Sequence, residues 1–283
     1  MNQIFHYFHI IRPLNVLISG ITVIVAAYLL NDLHNYLTLS TAFIVMLYCG
    51  SANILNDIRD IHTDTINKPN RSTIVLNNPK FNQQALFIAY LFIMLGAAIA
   101  VSYFSLYANL FLLFTICMIF LYTPVLKGIP LLGNMVISFI LSSVFIFTEI
   151  VLTNQFHTLL YPSILTFLLT FIREIIKDIA DINGDRESGI NTWPVLFGIN
   201  STKYILLILT FLLLVLSTYP YYIKLYHFNY FILLVFFVQI PLVGCIFYLW
   251  KHSNSIVCVR LSIITKYITI AGVMTILSIK LLA

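Results

Sequence analysis

Apolar runs about twenty residues long recur from one end of this 283-residue chain to the other. A helix rises ~1.5 Å per residue, so such a run crosses a hydrocarbon core ~30 Å thick. Backbone N–H and C=O groups find no water there and must bond within their own segment. The runs are too long for barrel strands, so they are expected to be helices. Hydropathy predicts nine spans, near 14–30, 39–57, 84–102, 107–124, 132–152, 159–179, 203–222, 228–250 and 259–282. The expected fold class is all-α: a polytopic membrane protein whose helices enclose a central cavity, forming a single domain over 1–283. Pro124 and Pro130 bracket the fourth-to-fifth connection, and Pro162 and Pro241 are candidate kinks inside spans.

Composition excludes the main alternative. Hydrophobic residues make up 60% of the chain and charged residues only 9%, against about a quarter charged in soluble domains. No soluble domain of any size is expected. The first run has no small-residue cleavage site after it and reads as a span, not a signal peptide. Cys49, Cys117, Cys245 and Cys258 are scattered without CxxC or Cys/His spacing, which supports neither a disulfide framework nor a zinc site.

The basic residues set an orientation. With a cytoplasmic amino terminus, the inner segments hold Arg12, Arg59, Lys68, Arg71, Lys80, Lys127, Arg173, Lys177, Arg186, Lys203, Lys251, Arg260 and Lys266, whereas the outer segments hold Lys224 and Lys280. Thirteen against two places the amino terminus inside a cell membrane. The net charge of +5 is then a feature of the membrane's inner face and no sign of a nucleic-acid partner.

Eight of the ten acidic residues fall in two short windows, Asp57 to Asp64 and Glu174 to Glu187. Each contains D-x-x-D-x-x-x-D: Asp57, Asp60 and Asp64 in the first, Asp178, Asp181 and Asp185 in the second. Residues at i, i+3 and i+7 lie along one helix face, and Asn56, Asp60 and Asp64 share a face at i, i+4 and i+8. Like charges so spaced repel, and desolvation near a hydrocarbon boundary adds to the cost. A cation removes both penalties. Carboxylates with an amide oxygen and no soft ligand suit Mg²⁺ before Ca²⁺, shared with substrate phosphates. The metal candidates are Asn56, Asp60, Asp64, Asp178, Asp181 and Asp185, with Asp57 completing the catalytic set. Lys68, Arg71, Lys127 and Lys177 are candidate diphosphate donors. A simpler account makes the windows solvated helix ends paired with Arg59, Lys68, Lys177 and Arg186. It does not explain one spacing occurring twice on one membrane side.

These residues resemble the UbiA superfamily of intramembrane prenyltransferases. Asn56, Asp57, Asp60 and Asp64 match the family's N-D-x-x-D-x-x-x-D, and Lys177, Asp178, Asp181 and Asp185 match its K-D-x-x-D-x-x-x-D. Arg12-Pro13-x-Asn15 opens the first span as in the family. Tyr122-Thr-Pro-Val-Leu-Lys127, followed by Gly133-Asn134, is similar to its Y-S-x-x-L-K segment. Gly189 through Thr192-Trp-Pro194-Val resembles its G-x-x-T-x-P-V stretch. Arg173 to Arg186 and Asp64 to Arg71 are most like the archaeal-type digeranylgeranylglyceryl phosphate synthases and their bacterial relatives. The chain then departs, with Ser72-Thr-Ile-Val-Leu where members often have P-I-P-S-G, and with Arg173 where a tyrosine is common.

The resemblance implies Mg²⁺-dependent transfer of an isoprenyl group, geranylgeranyl in that group, from an allylic diphosphate to a lipophilic acceptor. The acceptor it implies is the glycerol hydroxyl of a prenylglyceryl phosphate. Tyr122 and Asn56 join the expected diphosphate site, and Arg12, Asn15 and Arg173 are expected to meet the acceptor. The bilayer is the implied surrounding, with no obligatory protein partner evident. An aromatic-acceptor prenyltransferase of quinone biosynthesis shares every aspartate and stays open. A cation transporter fits less well, because its ion sites belong near the midplane on broken helices, whereas these clusters sit at span ends. The D-G-x-x-A-R signature of membrane alcohol phosphotransferases is absent.

Overall fold

The structure, a computed structural model, describes residues 3–67 and 79–281, and among these there is helix but no strand. Lys68 and Arg71 lie outside the described residues. Helix α1 (Gln3–Ile11) is followed by α2 (Pro13–Leu29). Between them Arg12 takes φ 55° and ψ 70°, a left-handed conformation off the helical path, and the proline that follows disfavours the right-handed helical region at this position. Pro13 itself suits the first turn, where its missing N–H would be unpaired anyway. Next come α3 (Tyr36–Arg59), α4 (Ile61–Asn67), α5 (Pro79–Tyr103) and α6 (Leu106–Leu121). The side chains of Asn35 and Ser105 cap α3 and α6, accepting from the N–H groups of Leu37 and Ala108. A π-helical turn at Tyr122–Leu126 leads towards α7 (Leu132–Thr153). Then follow α8 (Leu160–Glu187), α9 (Trp193–Tyr222), α10 (Phe228–Lys251) and α11 (Ser255–Leu281).

Among the described residues each hydropathy-predicted segment lies on helix, but length and apolarity qualify six helices there to cross a membrane: α3, α5, α7, α9, α10 and α11. Helices α2 and α6 are apolar but short, at 17 and 16 residues. Helix α8 is long, at 28 residues, yet its second half is charged. The hydropathy boundary near 179 therefore differs from the helix boundary at Glu187, because a carboxylate ends an apolar run without breaking the backbone ladder. Pro162 falls in the first turn of α8, where it costs no hydrogen bond. Pro241 follows a π-helical turn at Val235–Gln239 within α10, which relieves the clash of its ring with the preceding turn. Helix α9 is kinked at Gly198, with φ 79° and ψ 165°.

The chain divides into two compact units, residues 1–124 with 144–158 and residues 125–143 with 159–283. In the first, α3 is central and packs on α2 and α5. Ala85, Ala89, Gly96 and Ala100 make a small-residue stripe on α5 that lets the backbones approach. At Gly96 a Cβ would stand 2.5 Å from the Tyr48 ring. The face of α5 bearing Phe87, Met94 and Val101 is turned outward at 67%, 67% and 75% exposure, an apolar exterior that water does not tolerate over such an area. In the second unit α8 is central, packed on α9 and α11. Its core gathers Ile172, Ile175, Ile176 and Ile179 with Leu206, Leu242 and Leu249. A cavity of about 30 Å³ lies among Leu169, Leu213, Val238 and Gly272.

Candidate active site

The first aspartate motif sits where α3 gives way to α4. The spacing predicts three carboxylates along one continuous helix, and here the structure differs. Helix α3 ends at Arg59, and Asp60 is its C-cap with φ −87° and ψ 9°. The ladder is nonetheless picked up on both sides, since Asp60 N–H donates to Asn56 O (2.9 Å) and Asp64 N–H to Asp60 O (2.8 Å). The Asn56 side-chain amide donates to Asp60 Oδ2 at 2.9 Å. Asn56 and Asp60 thus pair one turn apart across the end of α3.

Asp57 is buried and ion-paired with Arg12, whose Nη2 donates to Oδ1. Burial opposes the charged guanidinium, but the carboxylates of Asp57, Asp64 and Asp60 outweigh it and hold its pKa above the ordinary arginine value. Two neighbouring contacts fix the frame. Asn53 Nδ2 donates to Ile11 O at 2.9 Å, tying α3 to the end of α1. Arg59 donates to Phe120 O at 3.1 Å, tying it to the end of α6. Arg59 is thus a tether of the first unit. Asn15, half-buried in the first turn of α2, donates its N–H to Arg12 O at 2.9 Å. Tyr122, half-buried, opens the π-helical turn after α6.

The second motif lies on α8, which runs unbroken through Asp178, Asp181 and Asp185. Asp178 Oδ2 accepts from Asn134 Nδ2 at 2.9 Å. Asn134 is buried in the first turn of α7. The next-door Gly133 explains the placement of Lys127: a Cβ at 133 would stand 3.0 Å from Lys127 Cα and 3.1 Å from Leu126 O. A side chain there would push the lysine-bearing turn away. Asp185 is buried, and its Oδ2 accepts from Thr192 Oγ1 at 3.3 Å. Thr192 is the N-cap of α9, so Thr192 of the G-x-x-T-x-P-V stretch anchors the last aspartate. Lys177 and Arg173 both engage the buried Glu174, at 2.7 Å and 2.5 Å.

The structure therefore brings Arg12 together with the first motif, and Asn134, Glu174, Lys177 and Arg173 with the second. Sequence reasoning assigned no role to Asn134 or Glu174. The available signals were the Gly133-Asn134 pair after Lys127, and a glutamate three residues before Lys177.

Among the described residues no three His, Cys, Asp or Glu side chains converge as a ready metal cage. The donor chemistry still fits Mg²⁺, which takes oxygen ligands, uses one or two carboxylates and leaves other positions to water and phosphate. The two motifs offer carboxylate and amide oxygens with no sulfur or imidazole donor in their matching positions.

Apolar helices of membrane length, carrying two carboxylate motifs, define a multi-pass membrane protein. A model of the UbiA prenyltransferase family matches residues 15–260. The chain belongs to that family and is a prenyltransferase. The digeranylgeranylglyceryl phosphate synthase of Methanosarcina mazei is 32% identical over 242 residues, covering 85% of this chain and 81% of the relative. That of Methanobrevibacter smithii is 31% identical over 259 residues, 88% of each chain. A structure solved in work on digeranylgeranylglyceryl phosphate synthase in membranes superposes with a TM-score of 0.74 at 25% identity, covering 99% of both chains. A UbiA homologue from Archaeoglobus fulgidus, solved bound to DMAPP and Mg²⁺, shares the fold with a TM-score of 0.65 at 15% identity, covering 95% of this chain and 98% of that one.

Proposed function

We propose that the protein transfers a geranylgeranyl group from its diphosphate to the glycerol hydroxyl of a prenylglyceryl phosphate, with Mg²⁺ as cofactor. The observation that carries this reading is that relatives named for that synthesis, at 32% and 31% identity, span most of both chains. The homologue solved with DMAPP and Mg²⁺ supports the donor and metal classes.

Asn56, Asp60 and Asp64 would hold one Mg²⁺, and Asp178, Asp181 and Asp185 a second. Bound there, the metal would neutralise charge on the diphosphate as it leaves. The chain's own residues do the rest. Lys127 and Lys177, with Lys68 and Arg71, bind the diphosphate oxygens, and Tyr122 adds a hydroxyl. As the C1–O bond breaks, these cations meet the growing negative charge. Asn134 holds the Asp178 carboxylate in place. Arg12 and Arg173, with Asn15, receive the acceptor and its phosphate. The acceptor hydroxyl attacks C1, and a carboxylate of the first motif takes its proton. The isoprenoid tail lies among apolar helices. The topology is nine spans in one domain, with the amino terminus and both motifs on the cytoplasmic side, supported by thirteen basic residues against two.

The test is a product assay on purified protein with geranylgeranyl diphosphate, Mg²⁺, and either geranylgeranylglyceryl phosphate or 4-hydroxybenzoate. Mass spectrometry should find the double ether with the first acceptor only. Product from the aromatic acid alone would replace the acceptor assignment with the quinone-type reaction.

A further inference from the structure

Glu174 stands outside both repeats of the aspartate motif, yet it has an unusual setting. Its Oε1 accepts from Arg173 Nη1 at 2.5 Å and its Oε2 from Lys177 Nζ at 2.7 Å. The carboxylate is 7% exposed, against 21% for Arg173 and 35% for Lys177. The acid is thus a buried hub, and the two cations are its more accessible arms. A buried carboxylate needs one counter-charge. Here it has two within hydrogen-bond distance. Arg173 Nε is also buried and has no hydrogen-bond partner, and an unmet donor of that kind is costly. A guanidinium edge with an unmatched N–H is suited to an oxyanion, and phosphate takes it in a fork. Lys177 spends one of its three N–H donors on Glu174 and has others to direct elsewhere.

We propose that Glu174 is a positioning residue that sets Arg173 and Lys177 as a two-pronged oxyanion fork, Arg173 for the phosphate of the acceptor and Lys177 for the diphosphate of the donor. The inference rests on the function proposed above and adds a residue to it. Glu174 touches neither substrate. It acts by limiting the rotamers of two long side chains before the substrates arrive, so less entropy is lost on binding. It also favours a phosphate-bearing acceptor over an uncharged one, because the buried Nε of Arg173 has no hydrogen-bond partner of its own.

The test uses the full-length protein in nanodiscs. Binding of geranylgeranyl diphosphate with Mg²⁺ is measured without acceptor, and initial rates are measured against each substrate. Glu174→Gln keeps the size of the side chain and removes its charge. It should raise the acceptor KM and lower kcat by about tenfold each, as expected for losing one charge-assisted contact, with the melting midpoint within a few degrees. Glu174→Asp, which keeps the charge, should recover part of the loss. KM and kcat within about twofold of the wild type would overturn the proposal. Should Glu174→Gln fail to fold, Arg173→Lys decides. It keeps the ion pair but lacks the fork, so acceptor KM should rise about tenfold while diphosphate binding stays within about twofold. An unchanged acceptor KM would reject the role. Failure of the wild type itself to bind the Mg²⁺-diphosphate would instead remove the underlying reading of the site.

Discussion

Arg12→Gln separates what the ion pair with Asp57 does for the fold from what it does for catalysis. Asp57 is buried, and Arg12 is its counter-charge from a position 45 residues earlier in the chain. Removing one partner of a fully buried pair costs roughly 3–5 kcal/mol. Arg12 keeps 28% of its side chain exposed, so solvent screens part of the interaction and the figure should fall to about 1.5–3 kcal/mol, the range for a hydrogen bond to a charged group. The assay is a double-mutant cycle of Arg12→Gln, Asp57→Asn and the pair, each unfolded by denaturant titration in the same detergent. The coupling energy should be about 1.5–3 kcal/mol, and the double variant should be more stable than the sum of the singles implies. Turnover of the double variant should stay depressed, because Arg12 is also assigned to the acceptor. A coupling near zero would mean that the pair is incidental, and the argument that Arg12 organises the first motif would fall with it.

Three further expectations follow from the geometry. Asp60→Ala and Asp181→Ala should each abolish turnover with little change in melting midpoint, and near-normal activity in excess Mg²⁺ would reject their assignment as metal ligands. Asn134→Ala removes the 2.9 Å contact to Asp178 and should lower kcat/KM by about tenfold, with more Mg²⁺ needed for half-maximal rate. Two glycines should respond with opposite signs in a melting assay. At Gly272 a Cβ would make ordinary contacts of 3.6 Å to Leu169 and 4.0 Å to Val238, so Gly272→Ala should stabilise by about 0.5–1 kcal/mol. At Gly96 it would press on Tyr48 at 2.5 Å, so Gly96→Ala should cost about 1–3 kcal/mol.

The helical segments and the two motifs were legible because each rests on a local pattern. A twenty-residue apolar run reports a span, and a repeated carboxylate spacing reports a shared chemistry. What stayed hidden depends on partners distant in sequence or on features hydropathy does not register. Nothing near Asp57 in the sequence points to Arg12, and nothing near Asp178 points to Asn134. Hydropathy near 179 marks the end of an apolar run and not of α8, which continues to Glu187, just ahead of Gly189 with φ 70°. The interruption at Asp60 carries no glycine or proline to announce it.

That interruption makes two motifs of one spelling mechanically unlike. In the second, Asp178, Asp181 and Asp185 ride on a single rod, so their separations are as stiff as the helix. In the first, Asp57 and Asp64 belong to different segments joined at one residue, and their separation depends on the torsion at Asp60. An equal perturbation, such as a one-residue insertion just after the central aspartate, would displace Asp185 by a full helical step within one helix, whereas after Asp60 it would fall at the boundary between two helices. Tolerance to such insertions would thus differ between two stretches that look interchangeable on paper.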